Sequence, residues 1–265
     1  MPYVVYSESN LTSKNIGESL LEVGEFEELE PIGGARHFKR KGIDMIGIKE
    51  SMLEADYLDD LVKTDLFVFV CSHRSAKEIA SLTVHPEGNW SDAADLGGKP
   101  RQLSFASPEW MLCFLRKMDE LNDTGFPVVY EATHHGPLLK TPSLFVEVGG
   151  NRAALESKKH SMLLARVTLS ALEDGDPTDF SEPVLGVGGL HYAEKFTRLA
   201  FDRRYAFGHM MSKHHVSEIG MLEQAMERSS KRPDKAIIEW KSIKSAERER
   251  IIAALDALGM DHERT

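Results

Sequence analysis

Runs such as "LFVFV" (Leu66–Val70) constrain this chain most, because they are apolar without a break. A strand with one wet face alternates apolar and polar residues, whereas a continuous Val, Ile, Leu and Phe run suits a strand covered on both faces. Comparable strand-length runs recur at Tyr3–Tyr6, Ile43–Ile48, Val128–Ala132, Leu144–Val148, Val184–Val187, Ala206–Met210 and Ala236–Trp240. Segments of helical period lie between several of them. The clearest follows Ser107, with Pro108 at the first helical position, Glu109 in the first turn and then "WMLCFLRKMDEL". Ala154–Leu172, Ser217–Arg228 and Ala246–Leu258 follow, the last closed by Gly259 as a C-cap.

This rhythm predicts an α/β fold with three layers, α/β/α, around a largely parallel (mixed) central sheet. The alternation resumes at once after the acidic, turn-rich stretch "EDGDPTDFSEP" (Glu173–Pro183), so that stretch reads as a surface loop. A single domain over residues 1–265 is the expectation.

Composition narrows the partners. No apolar run approaches the roughly 20 residues of a membrane-spanning helix, and "MPYVVYSESN" reads as a first strand, not a signal peptide. Cys71 and Cys113 form no CxxC, which suggests reduced thiols and a cytoplasmic setting. A formal charge of −10 disfavours DNA or general polyanion binding. It leaves room for local basic patches at Lys39, Arg40 and Lys41, at Lys158 and Lys159, and at Arg198, Arg203 and Arg204. Nothing in the sequence calls for a membrane or a second subunit.

Imidazoles gather at predicted strand ends. His73 and His85 follow or close apolar runs, and "YEATHHGPLL" brings Glu131, His134 and His135. "VLGVGGLHY" delivers His191, and "FGHMMSKHH" carries His209, His214 and His215. Ligand sites of open α/β sheets lie beyond the carboxyl ends of strands, so these ends are expected to converge. If the chain stays extended after Tyr130, alternation puts Glu131, Thr133 and His135 on one face and Ala132 and His134 on the other. His135 is then the residue expected to do chemistry, unless the loop bends. Glu147, inside the apolar "LFVEVGG", should find a histidine, an arginine or a metal, because an unpaired buried carboxylate is costly. There is no HExxH, CxxC, GxGxxG, P-loop or GxSxG, so local spacing alone assigns neither metal nor nucleotide nor serine nucleophile.

Taken in order, "SHRS", "LTVH", "THHGP", "VEVGG", "VGGLHY" and "FGHMMSKHH" resemble the archaeal-type D-aminoacyl-tRNA deacylases from about Tyr3 to Trp240. The resemblance implies hydrolysis of the ester between a D-amino acid, D-tyrosine for example, and the terminal ribose of tRNA. It also implies zinc dependence, a partner in the acceptor end of D-aminoacyl-tRNA, and a fold akin to the phosphorylase/hydrolase group. Within that frame Glu131, His134, His135 and His191 are the candidate catalytic residues. His73, His85, His135, Glu147 and His209 are the candidate zinc ligands. Backbone amides of Gly188, Gly189 or Gly136 are candidates for the oxyanion position. Arg198, Arg203, Arg204, Lys213 and His214 would form the basic rim for tRNA. Two other readings use the same inventory: a zinc aminopeptidase or amidohydrolase of small substrates, and a non-catalytic tRNA-acceptor binding module.

Overall fold

The apolar runs form the strands of a computed structural model that describes residues 1–265. The first half contains β1 (Tyr3–Ser7), α1 (Leu11–Gly24), β2 (Glu27–Ile32), β3 (Ala35–Arg40), β4 (Ile43–Ile48) and α2 (Leu58–Leu61). It continues with β5 (Phe67–His73), β6 (Ser81–His85), β7 (Gly88–Asn89), β8 (Gln102–Leu103), α3 (Pro108–Leu121) and β9 (Val128–Tyr130). The second half contains β10 (Ser143–Gly149), α4 (Arg152–Leu155), α5 (Lys158–Asp174), β11 (Glu182–Val187) and α6 (Glu194–Arg203). It ends with β12 (Tyr205–Met211), α7 (Leu222–Glu227), β13 (Lys235–Ile238), α8 (Ser245–Ala257) and β14 (Asp261–Arg264).

An eight-stranded sheet has the order β2-β3-β4-β1-β5-β10-β6-β9. Its centre, β4-β1-β5-β10, is parallel. The β2-β3-β4 edge is antiparallel, and β6 reverses against β10, with β9 following β6. A four-stranded sheet, β12-β11-β13-β14, is wholly parallel. The mixed, largely parallel α/β expectation therefore describes the fold, with the strands divided between two main sheets. The chain leaving β9 stitches these together: Ala132 N donates to His191 O at 2.8 Å and Thr133 N to Met210 O at 3.0 Å. A buried apolar cluster of 38 residues draws on both sheets, from Val4 and Val68 to Phe207 and Ile237, so the sheets share a core.

Several elements depart from the sequence expectation, each for a physical reason. β2 is mostly exposed and charged, with Glu28 paired to Arg36 at 3.0 Å, so no apolar run marks that edge. α1 buries small residues, including Ser13, Gly17 and Ser19, where an apolar stripe would normally sit. A Cβ at Gly17 would lie 2.6 Å from the Tyr6 ring, so close packing there needs glycine. The helix expected over Ala154–Leu172 divides into α4 and α5 around Ser157, and Ser217–Arg228 shortens to a 3-10 turn and α7. No helix is long and apolar enough to cross a membrane.

Candidate active site

Register decides which side chains share a face. β10 pairs Glu147 with Cys71 of β5 and Thr83 of β6, while Phe145 faces His85 and Gly149 faces His73. Because side chains alternate along a strand, His73, His85, Phe145 and Glu147 all project from one face of the large sheet. β9 pairs Val129 with Thr83, so Glu131, two residues on, is delivered to the same face. The strand ends that carry His73, His85 and Glu131 thus converge on the sheet's face, with β6 and β9 approaching it antiparallel to β5 and β10.

Extended alternation does not continue past Glu131, and the expected pairing of Glu131 with His135 is lost with it. Thr133 is held by Met210, and His135 adopts a left-handed φ of 46°. Gly136 then passes so close to its neighbours that a Cβ would lie 2.3 Å from Gly98 N and 2.4 Å from Leu53 O. The bend turns both histidines inward. His134 Nε2, not His135, lies 3.5 Å from Glu131 Oε2. The His134 ring centroid is 4.2 Å from those of both His85 and His135, and 4.5 Å from that of His191. His135 stands edge-on to Phe145 at 4.9 Å, with Nδ1 2.6 Å from Gly136 O.

Glu131 is the hub. Its Oε2 lies 2.9 Å from His191 Nε2 and 3.0 Å from His73 Nδ1. Glu147 Oε2 lies 3.3 Å from His85 Nε2 and 3.7 Å from His73 Nδ1. The charge inside "LFVEVGG" thus finds histidines. Burial alone would raise both carboxyls. Contacts with His191 and His73 at Glu131, and with His73 and His85 at Glu147, overcome burial and hold both well below the usual carboxylate range. Burial likewise opposes the His73 cation, yet the two carboxylates lift that imidazole to about 10. Burial and the neighbouring His85 push His134 well down and His135 down to about 4, which leaves both neutral near pH 7.

Neutral imidazoles and buried carboxylates are what a divalent transition metal takes as ligands, and at His73 such a metal would replace the proton held there by the two carboxylates. Three groups of ligand atoms lie within 4.8 Å of one another: His73, Glu131, His134 and His191; His85, His134 and His135; and His85, Glu131 and Glu147. A polar test supports the fit. His73 Nε2 is buried without a hydrogen-bond partner, and both Glu131 oxygens lack contacts of hydrogen-bond geometry despite their short distances to histidine. A nitrogen and carboxylate donor set of this kind suits zinc. The centre opens into a cleft of about 760 Å³, whose wall includes Ser7, Asn10, Ser72 and Arg74. Sequence reasoning named none of these four as site residues, although Ser72 and Arg74 flank His73 within "SHRS".

Other expected residues sit elsewhere. His209 is buried, with Nδ1 3.2 Å from Thr133 Oγ1 and Nε2 3.0 Å from the carbonyls of Ser104 and Arg228. Both ring nitrogens have protein partners, and it belongs to none of the ligand groups. Gly188 N donates to Met211 O, Gly189 N to Ser242 Oγ and Gly136 N to Leu96 O, so all three proposed oxyanion amides are already in use. Arg203 pairs with Glu263 at 2.5 Å and Arg204 with Asp179 at 2.6 Å, at the start of β12. Arg198 lines a separate cavity of about 380 Å³ with Tyr192 and Phe201. Lys213 and His214 are exposed beyond the end of β12, and Lys213 N donates to Gly189 O.

Comparison with known proteins places this geometry in context. The family model described as D-aminoacyl-tRNA deacylase matches residues 61–263. A D-aminoacyl-tRNA deacylase of Thermococcus kodakarensis is 34% identical, over 98% of this chain and 98% of its own length. That of Pyrococcus furiosus is 32% identical with the same coverage, and that of Methanosarcina acetivorans 33% identical over 97% of this chain and 90% of its own. A crystal structure of a conserved protein of unknown function has a TM-score of 0.91 and 28% identity, over all of this chain and 95% of that one.

Proposed function

The chain belongs to the D-aminoacyl-tRNA deacylase family, and from that premise we propose that its His and Glu centre hydrolyses the ester joining a D-amino acid to the terminal ribose of tRNA. The observation that carries the site assignment is Glu131. It is a fully buried carboxylate met by His73, His134 and His191 on the wall of an open cleft.

The ester is activated chemically, so the site must deliver a water, take its proton and stabilise charge on the carbonyl oxygen. His191 suits the proton transfer. Its Nε2 is fixed by Glu131, and its side chain is 43% exposed beside the cleft. This is the carboxylate-oriented imidazole of a general base, which typically contributes about 10²–10⁴-fold. His73, Glu131 and His134 would hold zinc, which leaves His191 of the same group free for the proton transfer, with His85, His135 and Glu147 adjoining. Zinc, when bound, supplies Lewis acidity toward the ester carbonyl and the attacking water. Family membership supports this reading over a small-substrate aminopeptidase or amidohydrolase. A tRNA substrate places the work in the cytoplasm, where translation occurs.

The test is single-turnover deacylation of matched D- and L-tyrosyl-tRNA, with and without a chelator. The D-ester should be lost much faster, and chelation should stop the loss until zinc is restored. Equal rates on both esters, or cleavage of small peptides alone, would overturn the proposal.

A further inference from the structure

Arg203 and Arg204 are paired with carboxylates and Arg198 lines a separate cavity, yet a chain of net charge −10 must hold a polyanion if it acts on tRNA. A different group of cations surrounds a turn that is tied to the strand end leading to His191. The turn Trp240–Ser242 follows β13 and is tied to the end of β11. Glu239 N donates to Val187 O at 2.8 Å and Gly189 N to Ser242 Oγ at 2.8 Å. Two residues beyond Gly189 stands His191. Lys213, from the end of β12, is tied to the same point through its own amide.

Around this turn the charges are arranged unusually. Arg248 Cζ lies 4.7 Å and Arg264 Cζ 4.0 Å from the centroid of the Trp240 ring. Arg248 Nε is buried with no partner. Lys213, Lys241 and Lys244 are exposed alongside. Where Arg203 and Arg204 are answered by carboxylates, these guanidinium groups are answered by an indole. The cation–π contact orients them but cancels no charge, and two like charges over one ring repel. Such an arrangement is relieved when a polyanion arrives.

We propose that the face formed by Trp240, Arg248 and Arg264 with Lys213, Lys241 and Lys244 holds the phosphate backbone of the tRNA acceptor end. The 3′ terminus then passes Gly189 to reach His191. The proposal rests on the deacylase reading above. Because guanidinium groups cover Trp240, the face meets phosphates, not bases. Phosphate contacts position without reading sequence, which suits acceptor ends that differ from one tRNA to the next.

The experiment measures binding of deacylated tRNA across a salt series, so it needs no turnover. Lys241→Glu/Lys244→Glu should bind at least tenfold more weakly at low salt. The slope of log affinity against log salt should flatten by about 0.7–0.9 for each phosphate that is no longer neutralised. In turnover with D-tyrosyl-tRNA, KM should rise while kcat holds. Lys241→Glu alone, on an exposed side chain outside the Trp240 stack, covers the case in which the double variant folds poorly. Lys241→Arg should restore wild-type binding. Unchanged affinity and slope in the folded variants would overturn the proposal, as would an equal loss from Lys39→Glu/Lys41→Glu on the far sheet edge. A wild-type protein that binds tRNA through this face but leaves the D-ester intact would sink the deacylase reading instead.

Discussion

His209, on β12, and Glu131 are both buried beside one loop, since Thr133, two residues past Glu131, touches His209. Their surroundings differ in kind. Each ring nitrogen of His209 meets a carbonyl or hydroxyl, and the imidazole is neutral: burial pushes it down to about 4. Around Glu131 the charges outnumber the hydrogen bonds, and His73 Nε2 and both carboxylate oxygens lack hydrogen-bond partners. A satisfied buried histidine stabilises the fold. An unsatisfied buried cluster costs stability unless a ligand completes it. Burial alone therefore does not mark a site; incomplete polar pairing does.

The largest expected effect tests the unsatisfied side. Glu131→Gln keeps the shape but removes the charge that His73, His134 and His191 surround. Deacylation should fall by about 10²–10⁴-fold, and zinc content by elemental analysis should fall with it. Near wild-type turnover in a folded variant would mean that Glu131 is structural and the contrast is false.

The satisfied side has its own signature, which is pH dependence. His209 in the fold titrates near 4, while in the unfolded chain it would titrate near 6.5. Below 6.5 the unfolded state takes up a proton that the folded state refuses, so stability is full above 6.5 and falls as pH drops toward 4. The loss amounts to something on the order of 3 kcal/mol. His209→Gln should flatten the unfolding free energy across this window relative to wild type and leave metal content unchanged. An unaltered pH slope, or a fall in bound zinc, would place His209 with the reactive cluster.

Within the cluster the two adjacent histidines should separate. His134 meets Glu131 and stands tilted or edge-on among His85, His135 and His191, whereas His135 leans on Phe145 and its own loop. His134→Ala should therefore lower metal affinity and single-turnover rate more than His135→Ala, with the gap on the order of 10-fold. The opposite order would restore the extended-strand geometry that the loop's bend replaces.

How much of the molecule is legible in its sequence follows from the range of the forces. Leu66–Val70 announces itself because burial on both faces leaves no polar position, and Leu144–Val148 does so with Glu147 as its single exception. β2 and α1 stay hidden because one is a charged edge and the other packs through Gly17 and serines. Glu131, Glu147, His73 and His191 are recognisable as polar groups in apolar contexts. Their mutual geometry is not, because the bend at His134 and His135 depends on Met210 and on Gly98, remote in sequence. The same holds for Arg203, whose partner Glu263 lies 60 residues away in sequence.

The smallest effect probes the glycine pair. If Gly189's amide belongs to the fold and not to the reaction, its acceptor matters only for stability. Ser242 Oγ accepts that amide's hydrogen and itself donates to Glu239 O at 2.7 Å. Ser242→Ala leaves both groups without their partner, which should cost about 1 kcal/mol in denaturant unfolding. Single-turnover kcat should stay at the wild-type value, because no donor to the developing oxyanion has changed. A true oxyanion donor is worth about 10²–10³-fold, so even partial involvement would be visible. A tenfold or greater change in kcat, with folding intact, would return Gly189 to the chemistry and place charge stabilisation on the small sheet's side of the centre.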